Sequence, residues 1–220
     1  MTQVLETMIG KEGTKGTEID LEALEAVRWS HFKIRGAYNF KDLMESNYVS
    51  GEGNFAEVML IGEAPGAQED IAKRPFVGQA GQVLRELMLI PKLYTGQTPH
   101  FGTPNCWLTN VLKFRPPRNR NPSPKEIKVF RHLLRTEWQA VGCPRVIVPI
   151  GGVALTAIVG KPIGILAHSG WLHKCRSREG QRLALWPMIH PSYGLRNKGV
   201  QPLIEKDWEK FGEWLNEYRN

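Results

Sequence analysis

The chain has 220 residues, of which 41% are hydrophobic and 23% are charged, so it can bury the core of one domain but is short for two. Its net charge is +7 and its pI is about 9.4, which favours a polyanionic partner, with nucleic acid ahead of an acidic membrane surface. No apolar stretch is long enough to span a bilayer, and three cysteines without a CxxC pair give no complete disulfide framework. We therefore expect a cytoplasmic protein with reduced cysteines.

The first fifty residues carry weaker structural signals than the rest of the chain. Residues 1–18 are polar and rich in Gly and Thr, and we expect them to be frayed. Ile19 to Val27 has helical spacing with acidic residues early, and predicts a short helix. Trp29 to Ser50 has mixed signals and is expected to wrap the core. The sequence thus predicts an N-terminal extension, residues 1–50, that packs on a main domain, residues 51–220.

From residue 57 onwards, predicted strands alternate with predicted helices. Four short apolar runs predict strands at residues 58–61, 107–111, 146–150 and 183–189. Helices are predicted over residues 80–89, 124–141, 152–159 and 202–218, the second of them capped by Ser123 with Pro124 at its first position. Strands that are apolar on both faces and alternate with helices predict a three-layer α/β/α fold with a central four-stranded, mainly parallel sheet.

Polar segments follow three of these strands. The first strand runs into Gly-Glu-Ala-Pro-Gly at residues 62–66, the second ends near Asn110, and the fourth ends at His-Pro-Ser, residues 190–192. Ligands of parallel sheets bind beyond the carboxyl ends of the strands. We therefore expect these segments to converge at one edge of the sheet.

Each segment on its own has an alternative interpretation. Residues 60–81 (LIGEAPGAQEDIAKRPFVGQAG) form a strand, a loop and a helix that suit anion binding, but no GK[ST] follows as in a P-loop. Residues 108–124 (LTNVLKFRPPRNRNPSP) contain a basic loop, which is equally typical of a solvated surface. Residues 190–197 (HPSYGLRN) place a histidine and its following loop at a strand end, although a single histidine is more often structural.

Taken together, these segments resemble the uracil-DNA glycosylase superfamily, and in particular the family 4 enzymes. That family has GE(A/G)PGxxED, GRPFVGxAG, TNVVKCRPPxNRxPxP and HPSYLLRN, and this chain matches all four in order between Leu60 and Asn197. The resemblance implies an enzyme that flips uracil out of DNA, hydrolyses its N-glycosidic bond and leaves an abasic site for base excision repair. Residues 51–220 would then form the catalytic domain.

The resemblance also assigns roles to three groups around the base. Phe76 is expected to stack on the flipped uracil, because an aromatic face replaces the lost base stacking. Asn110 is expected to read the Watson–Crick edge, and cytosine would leave its amide unpaired. His190 is expected to hydrogen-bond O2 and to stabilise the negative charge that develops on uracil as the bond breaks.

The loop from Gly62 to Gly66 is expected to hold the catalytic water and part of the uracil. Related enzymes with GQDPY place an aspartate at the position of Ala64, so a direct aspartate base is absent here. Glu63 is the leading candidate to orient water or to stabilise the sugar cation, and Glu69 and Asp70 are weaker candidates.

Exclusion of thymine is expected to fall to Glu69 by the same resemblance. The GQDPY relatives use a tyrosine at the position of Gly66 to exclude the thymine methyl group. The reaction would be dissociative: an oxocarbenium-like sugar forms, uracil leaves as an anion, and water then adds.

Contacts to DNA are expected from two segments. The loop from Tyr193 to Asn197 would enter the minor groove, with Leu195 as a wedge and Arg196 and Ser192 on phosphates. The basic loop would add phosphate contacts that position DNA without reading its sequence, through Arg115, Arg118 and Arg120.

The chain departs from family 4 at the iron–sulfur cluster, which four cysteines hold in that family. No cysteine precedes Cys106, and the two later ligand positions are Phe114 and Phe130. Because such clusters need thiolates, we predict no cluster, no metal site and no other cofactor. We expect the two phenylalanines to pack together, covered by residues 29–38. A smaller departure is Lys73, where the family usually has glycine.

Three alternatives stay open at this stage. The chain could be a glycosylase of the same fold that acts on another base such as hypoxanthine, or a relative that bonds covalently to DNA. It could be a non-catalytic DNA-binding module that has kept the pocket. More distantly, it could be a nucleotide-binding α/β protein. The favoured interpretation is a monomeric enzyme whose partner is uracil-containing DNA.

Overall fold

A five-stranded sheet lies at the centre of the computed structural model, which describes residues 19–54, 57–94, 104–176 and 182–220. The strands are β1 (Val58–Gly62), β2 (Trp107–Asn110), β3 (Val146–Pro149), β4 (His173–Arg176) and β5 (Arg182–Leu185). Their order is β2-β1-β3-β5-β4, and all neighbouring pairs are parallel except the antiparallel pair β4–β5. Residues 1–18, which were predicted to be frayed, lie outside the described residues.

Helices cover both faces of this sheet. They are α1 (Leu21–Ala37), α2 (Ala67–Ala72), α3 (Gln79–Leu87), α4 (Pro124–Ala140), α5 (Gly152–Val159), α6 (Pro191–Arg196) and α7 (Gln201–Arg219). Alternate residues of β1 enter two separate cores: Met59 and Ile61 pack with α4 and α5, whereas Val58 and Leu60 pack with α3 and α7. This arrangement confirms the predicted three-layer α/β/α fold. Among the described helices, none is both long and apolar enough to cross a membrane.

The four predicted strands are present, and the structure adds a fifth. β4 has the polar sequence His-Lys-Cys-Arg with alternating partial exposure, as expected for an edge strand that needs no apolar run. The predicted fourth strand is shorter than expected, since it ends at Leu185. The N-terminal helix is longer than predicted, because it continues past Val27 to Ala37 and buries Val27 and His31 one turn apart.

Helix α4 begins as the sequence predicted. Ser123 is its N-cap and accepts a hydrogen bond from the Glu126 N–H at 3.2 Å, while the Glu126 carboxylate accepts one from the Ser123 N–H at 2.6 Å. Pro124 occupies the first position, where a missing N–H costs nothing. This reciprocal cap sets where the helix leaves the basic loop that precedes it.

Lys73 has a left-handed backbone with φ of 53° at the C-cap of α2. This conformation favours glycine, the residue that the resemblance implies at this position. The lysine side chain is exposed, so the substitution changes local strain and surface charge rather than packing.

An aromatic cluster fills the space between α1, α4 and the end of β2. The rings of Phe114 and Phe130 lie 6.2 Å apart, which confirms that these two residues meet. His31 stacks on Phe130 at 5.8 Å, and Phe32 and Tyr48 contact Phe114 edge-on at 5.4 and 5.7 Å. As predicted, the N-terminal segment covers this side of the core.

We predict that Phe130→Ala lowers the free energy of unfolding by about 3–5 kcal/mol, because it removes a fully buried ring and leaves a cavity in the aromatic cluster. Urea denaturation followed by tryptophan fluorescence measures this change. Leu203→Ala, at a position of α7 that is 45% exposed, is the control and should change stability by less than about 0.5 kcal/mol. Equal effects of the two substitutions would show that the aromatic cluster is not a significant part of the core.

Candidate active site

A cleft of about 1160 Å³ opens at the carboxyl ends of the parallel strands, where the sequence placed its polar segments. The residues of the three motifs meet in it: its lining includes Glu63, Glu69, Phe76, Asn110, Ser192 and His190. The lining also contains residues 162–166, which the sequence analysis missed. In the sequence, Gly160, Pro162 and Gly164 indicate only a turn in this segment, and a turn does not indicate a ligand.

The pairing of β1 with β2 brings the Gly62–Gly66 loop and Asn110 together. Gly62 lies directly opposite Asn110 in the parallel register, and the Val111 N–H donates to the Gly62 carbonyl at 2.9 Å. A Cβ atom at Gly62 would lie 2.4 Å from Asn110 Oδ1 and 2.4 Å from Phe76 Cζ. Only glycine therefore lets the amide and the aromatic ring approach each other at this strand end.

Phe76 is buried in a strained conformation, with φ of 53° in a region that non-glycine residues rarely adopt. Glu69 holds the chain after it: the carboxylate accepts hydrogen bonds from the N–H groups of Val77 at 2.9 Å and Gly78 at 2.7 Å. The same carboxylate accepts from the Gly66 N–H at 3.1 Å. Glu69 thus ties the Gly62–Gly66 loop to the segment that carries Phe76.

Asn110 is 4% exposed at the end of β2. Within the described part of the chain, its side-chain amide makes no hydrogen bond, although it lines the cleft. Its polar atoms are not enclosed, because they open to the cleft, so a ligand that displaces water there must replace the hydrogen bonds of that water. The site therefore presents one donor and one acceptor to a planar group beside the Phe76 ring.

His190 is the N-cap of α6, and this contact determines its tautomer. The Ser192 N–H donates to Nδ1 at 3.1 Å, and Ser192 Oγ lies 2.8 Å from the same nitrogen. Nδ1 is therefore the acceptor, which places the proton of the neutral ring on Nε2. Burial, reinforced by the charge of Arg196, lowers the pKa of His190 to about 4, although Glu69 opposes the shift.

Glu63 also faces the cleft, and burial raises the pKa of its carboxyl above the usual range. Its side chain has no hydrogen bond to any described residue, which leaves it available for water or a ligand. Asp70, a weaker candidate for the same task, instead accepts a hydrogen bond from the Asn47 N–H at 2.7 Å. Of the three carboxylates, only Glu63 is in the cleft and unengaged by the described chain.

The segment after His190 is helical, which corrects the predicted loop. Pro191 occupies the first position of α6 and His190 caps it, a start signal that the sequence analysis overlooked. Ser192 and Arg196 line the cleft, whereas Leu195 lies outside that lining with 38% of its surface exposed.

The basic loop is more constrained than the sequence suggested. Arg120 forms a two-pronged ion pair with Glu126, with both N–O distances at 2.9 Å. The Arg115 Nε donates to Asn119 Oδ1 at 2.7 Å, and Arg118 is exposed on a left-handed turn. The charge of Arg120 is thus partly neutralised, while Arg118 projects its charge into solvent.

The residues present do not fit the iron–sulfur cluster that family 4 implies. Phe114 and Phe130 stand where the resemblance implies two of its ligands, and their rings lie 6.2 Å apart. Burial raises the pKa of the thiols of Cys106, Cys143 and Cys175, that of Cys175 to about 11, which disfavours the thiolates a cluster needs. The described residues contain no group of three His, Cys, Asp or Glu side chains that could hold a metal ion.

We predict that protein purified from iron-supplemented cells contains no stoichiometric iron and lacks the broad visible absorption of a cluster, since apolar rings replace the thiolates. Colorimetric iron analysis and an absorption spectrum of the same sample measure this. Iron in near-integer amounts per chain would overturn the assignment of Phe114 and Phe130 to the ligand positions.

We predict that His190 stays neutral, with its proton on Nε2, down to about pH 4. Because the unfolded histidine has a pKa of about 6.5, the unfolded chain binds more protons between these values, so His190 makes stability fall as the pH drops from about 6.5 to about 4. Nitrogen-15 NMR of labelled histidine reports both the tautomer and the titration. A midpoint near 6.5, or a proton on Nδ1, would contradict the cap geometry.

Comparison with known proteins identifies the family of the chain. Residues 50–215 match the family described as the uracil DNA glycosylase superfamily. The chain is 35% identical over 176 residues to the type-4 uracil-DNA glycosylase of Thermotoga maritima, covering 76% of this chain and 83% of that protein. It is 33% identical over 174 residues to the type-4 enzyme of Archaeoglobus fulgidus, covering 77% and 82%. The chain therefore belongs to the uracil DNA glycosylase superfamily, alongside its type-4 members.

Proposed function

We propose that this chain is a uracil-DNA glycosylase, which extrudes uracil from DNA and hydrolyses its N-glycosidic bond. One observation carries the proposal: Phe76, Asn110 and His190 come from three separate motifs and line the same cleft. An aromatic plate, an unpaired amide and a neutral imidazole are the groups that a single flipped pyrimidine requires. The comparisons support this function through the type-4 relatives.

Asn110 would select uracil over cytosine. Its amide can donate to O4 and accept from N3–H of uracil, whereas cytosine presents the reverse pattern. Because Asn110 is buried, a mismatched base would leave polar groups without partners, and such mismatches discriminate strongly. Phe76 would hold the ring by stacking, which does not depend on the identity of the base.

His190 would stabilise the leaving group. Cleavage leaves negative charge on uracil, and the Nε2–H donor would form a hydrogen bond to O2 as that charge develops. A neutral imidazole suits this role, because its donor is present at physiological pH without depending on protonation. The lowered pKa of about 4 ensures that neutral form.

Glu63 would orient the attacking water or stabilise the cationic sugar, beside Gly62, Ala64 and Gly66, which form the loop around the water. Its unengaged carboxylate in the cleft supports this role over Asp70. Glu69 would exclude the thymine methyl group while its hydrogen bonds to the backbone keep it in place.

DNA would bind across the cleft through its phosphates. Arg196 and Ser192 lie in the lining and would contact phosphate, while Leu195 would enter the gap that the extruded base leaves. Further phosphate contacts would come from the basic loop, through Arg115, Arg118 and Arg120. These contacts make affinity fall steeply with salt. We further propose that the enzyme acts as a cytoplasmic monomer, with residues 51–220 as the catalytic domain and residues 1–50 as an extension packed on it.

We predict strand cleavage after alkali only at uracil when oligonucleotides containing U, hypoxanthine or T are incubated with the protein. Asn110→Ala and His190→Ala should each lower the rate of uracil release by about 10²-fold or more, since each removes a group used in the transition state. Asn216→Ala and His132→Ala, at exposed helical positions, are matched controls and should leave the rate unchanged.

Other outcomes point to the alternatives. Cleavage at hypoxanthine but not at uracil would assign another base to the pocket. Retained DNA affinity without cleavage at any base would favour the non-catalytic binding module. Full activity of Asn110→Ala would show that the Asn110 amide does not recognise the base.

A further inference from the structure

We propose that Arg85 is a positioning residue that holds the Phe76 ring in place, an inference that rests on the proposed function. Arg85 lies on α3, outside the motifs that carry the family resemblance, and is 1% exposed. A buried arginine is costly unless its donors are satisfied, so its partners reveal what the structure uses it for.

Two of those partners are the carbonyl groups on either side of Phe76. Arg85 Nε donates to the Phe76 carbonyl at 2.8 Å, and Nη2 donates to the Pro75 carbonyl at 2.7 Å. These carbonyls belong to the peptide planes before and after the Phe76 Cα atom. Fixing both planes fixes φ and ψ of Phe76, and its φ of 53° is one that needs external support.

Helix α3 and Glu69 complete this support from other directions. A Cβ atom at Gly81 would lie 2.2 Å from the Phe76 carbonyl carbon, so α3 packs directly on the Phe76 backbone one turn before Arg85. The peptide plane after Phe76 is bonded on both sides, because Arg85 donates to its carbonyl and Glu69 accepts from its N–H, that of Val77. The backbone of Phe76 is therefore held by hydrogen bonds from Arg85 and to Glu69 as well as by packing against α3.

The remaining contacts of the guanidinium connect the Phe76 segment to the strand that ends in Asn110. Arg85 Nη2 also contacts the Glu52 carboxylate, and Nη1 contacts the Tyr94 hydroxyl. Glu52 is bonded to β2 through its backbone: its N–H donates to the Leu108 carbonyl at 3.0 Å and its carbonyl accepts from the Leu108 N–H at 2.8 Å. Leu108 is two residues before Asn110. Arg85 and Glu52 therefore connect the segment that carries Phe76 to the strand that carries Asn110.

A purely structural role for Arg85 gives a different expectation from a positioning role. If Arg85 only stabilises the fold, its loss lowers the unfolding temperature but the protein that stays folded keeps its rate. If Arg85 acts through Phe76, its loss slows base release in folded protein, and the effect disappears once the Phe76 ring is removed.

The test is a double-mutant cycle between Arg85→Lys and Phe76→Ala, read as single-turnover uracil release with enzyme in excess. Lysine keeps the charge opposite Glu52, but its ammonium on an unbranched stem cannot reproduce the planar fork between two carbonyls. We expect Arg85→Lys to slow release about ten-fold or more in the wild-type background, since small misplacements of binding groups are costly. In the Phe76→Ala background, we expect a further loss of less than about two-fold.

Arg219→Lys is the matched control, because Arg219, at the end of α7, pairs with Glu57 at 2.7 Å and neither residue lines the cleft. It should leave the rate unchanged in both backgrounds. A readout independent of activity is amide hydrogen exchange at Val77 and Gly78, which should accelerate in Arg85→Lys but not in Arg219→Lys.

The outcomes separate this inference from the proposed function. If the wild-type chain releases no uracil, the proposed function fails, and the exchange experiment alone decides whether Arg85 holds the Phe76 segment. If the wild type is active, two results would overturn the positioning role. Arg85→Lys could release uracil as fast as the wild type, or it could slow release by the same factor in the Phe76→Ala background as in the wild-type background. Should Arg85→Lys not fold, Tyr94→Phe, which removes one hydroxyl contact, is read in the same cycle with the same criterion.

Discussion

The site depends on the close approach of the Asn110 amide and the Phe76 ring at the end of β1, which only glycine at position 62 permits. The parallel register of β1 and β2 sets Gly62 opposite Asn110, and the space where a Cβ would lie is bounded by Asn110 Oδ1 and Phe76 Cζ, each 2.4 Å away. A side chain at Gly62 would separate the amide from the aromatic ring. The strand register therefore places Gly62 and Asn110, while the segment between α2 and α3 supplies the aromatic ring.

Burial in the cleft also sets the protonation of its ionisable side chains. Burial lowers the pKa of His190 to about 4 and raises that of Glu63, so the cleft favours a neutral imidazole and makes carboxylate charge costly. The neutral imidazole also caps α6, which means that one nitrogen serves the fold while the other is left for the ligand. A leaving group that becomes an anion meets a donor already oriented, without reorganisation during the reaction.

The region beneath the basic loop is held together by packed aromatic rings. Phe114 and Phe130 meet with rings from the N-terminal segment, and Arg35 lies 4.2 Å over the Phe114 ring. Apolar burial and ring contacts can stabilise the junction between α1, α4 and the basic loop by several kcal/mol in total. This packing anchors the loop after Asn110 through hydrophobic contact rather than through metal–thiolate bonds.

The sequence by itself determined the chain order of the four predicted strands and of helices α1, α3, α4, α5 and α7, the cap of α4 and the motif residues at the strand ends, because periodicity, turn chemistry and cap signals are local. It did not reveal the edge strand β4, the short helix α2, which was predicted as part of a loop, the helical form of residues 191–196, or the partners of Glu69, Arg120 and Arg85. The start signal of residues 191–196 is local but was overlooked, whereas the other features depend on strand pairing and side-chain contacts that hydrophobic periodicity and turn patterns do not encode. Tertiary structure decided which carboxylate is unengaged, which arginine is neutralised and how the strained Phe76 is held, since each outcome depends on which group is buried beside which.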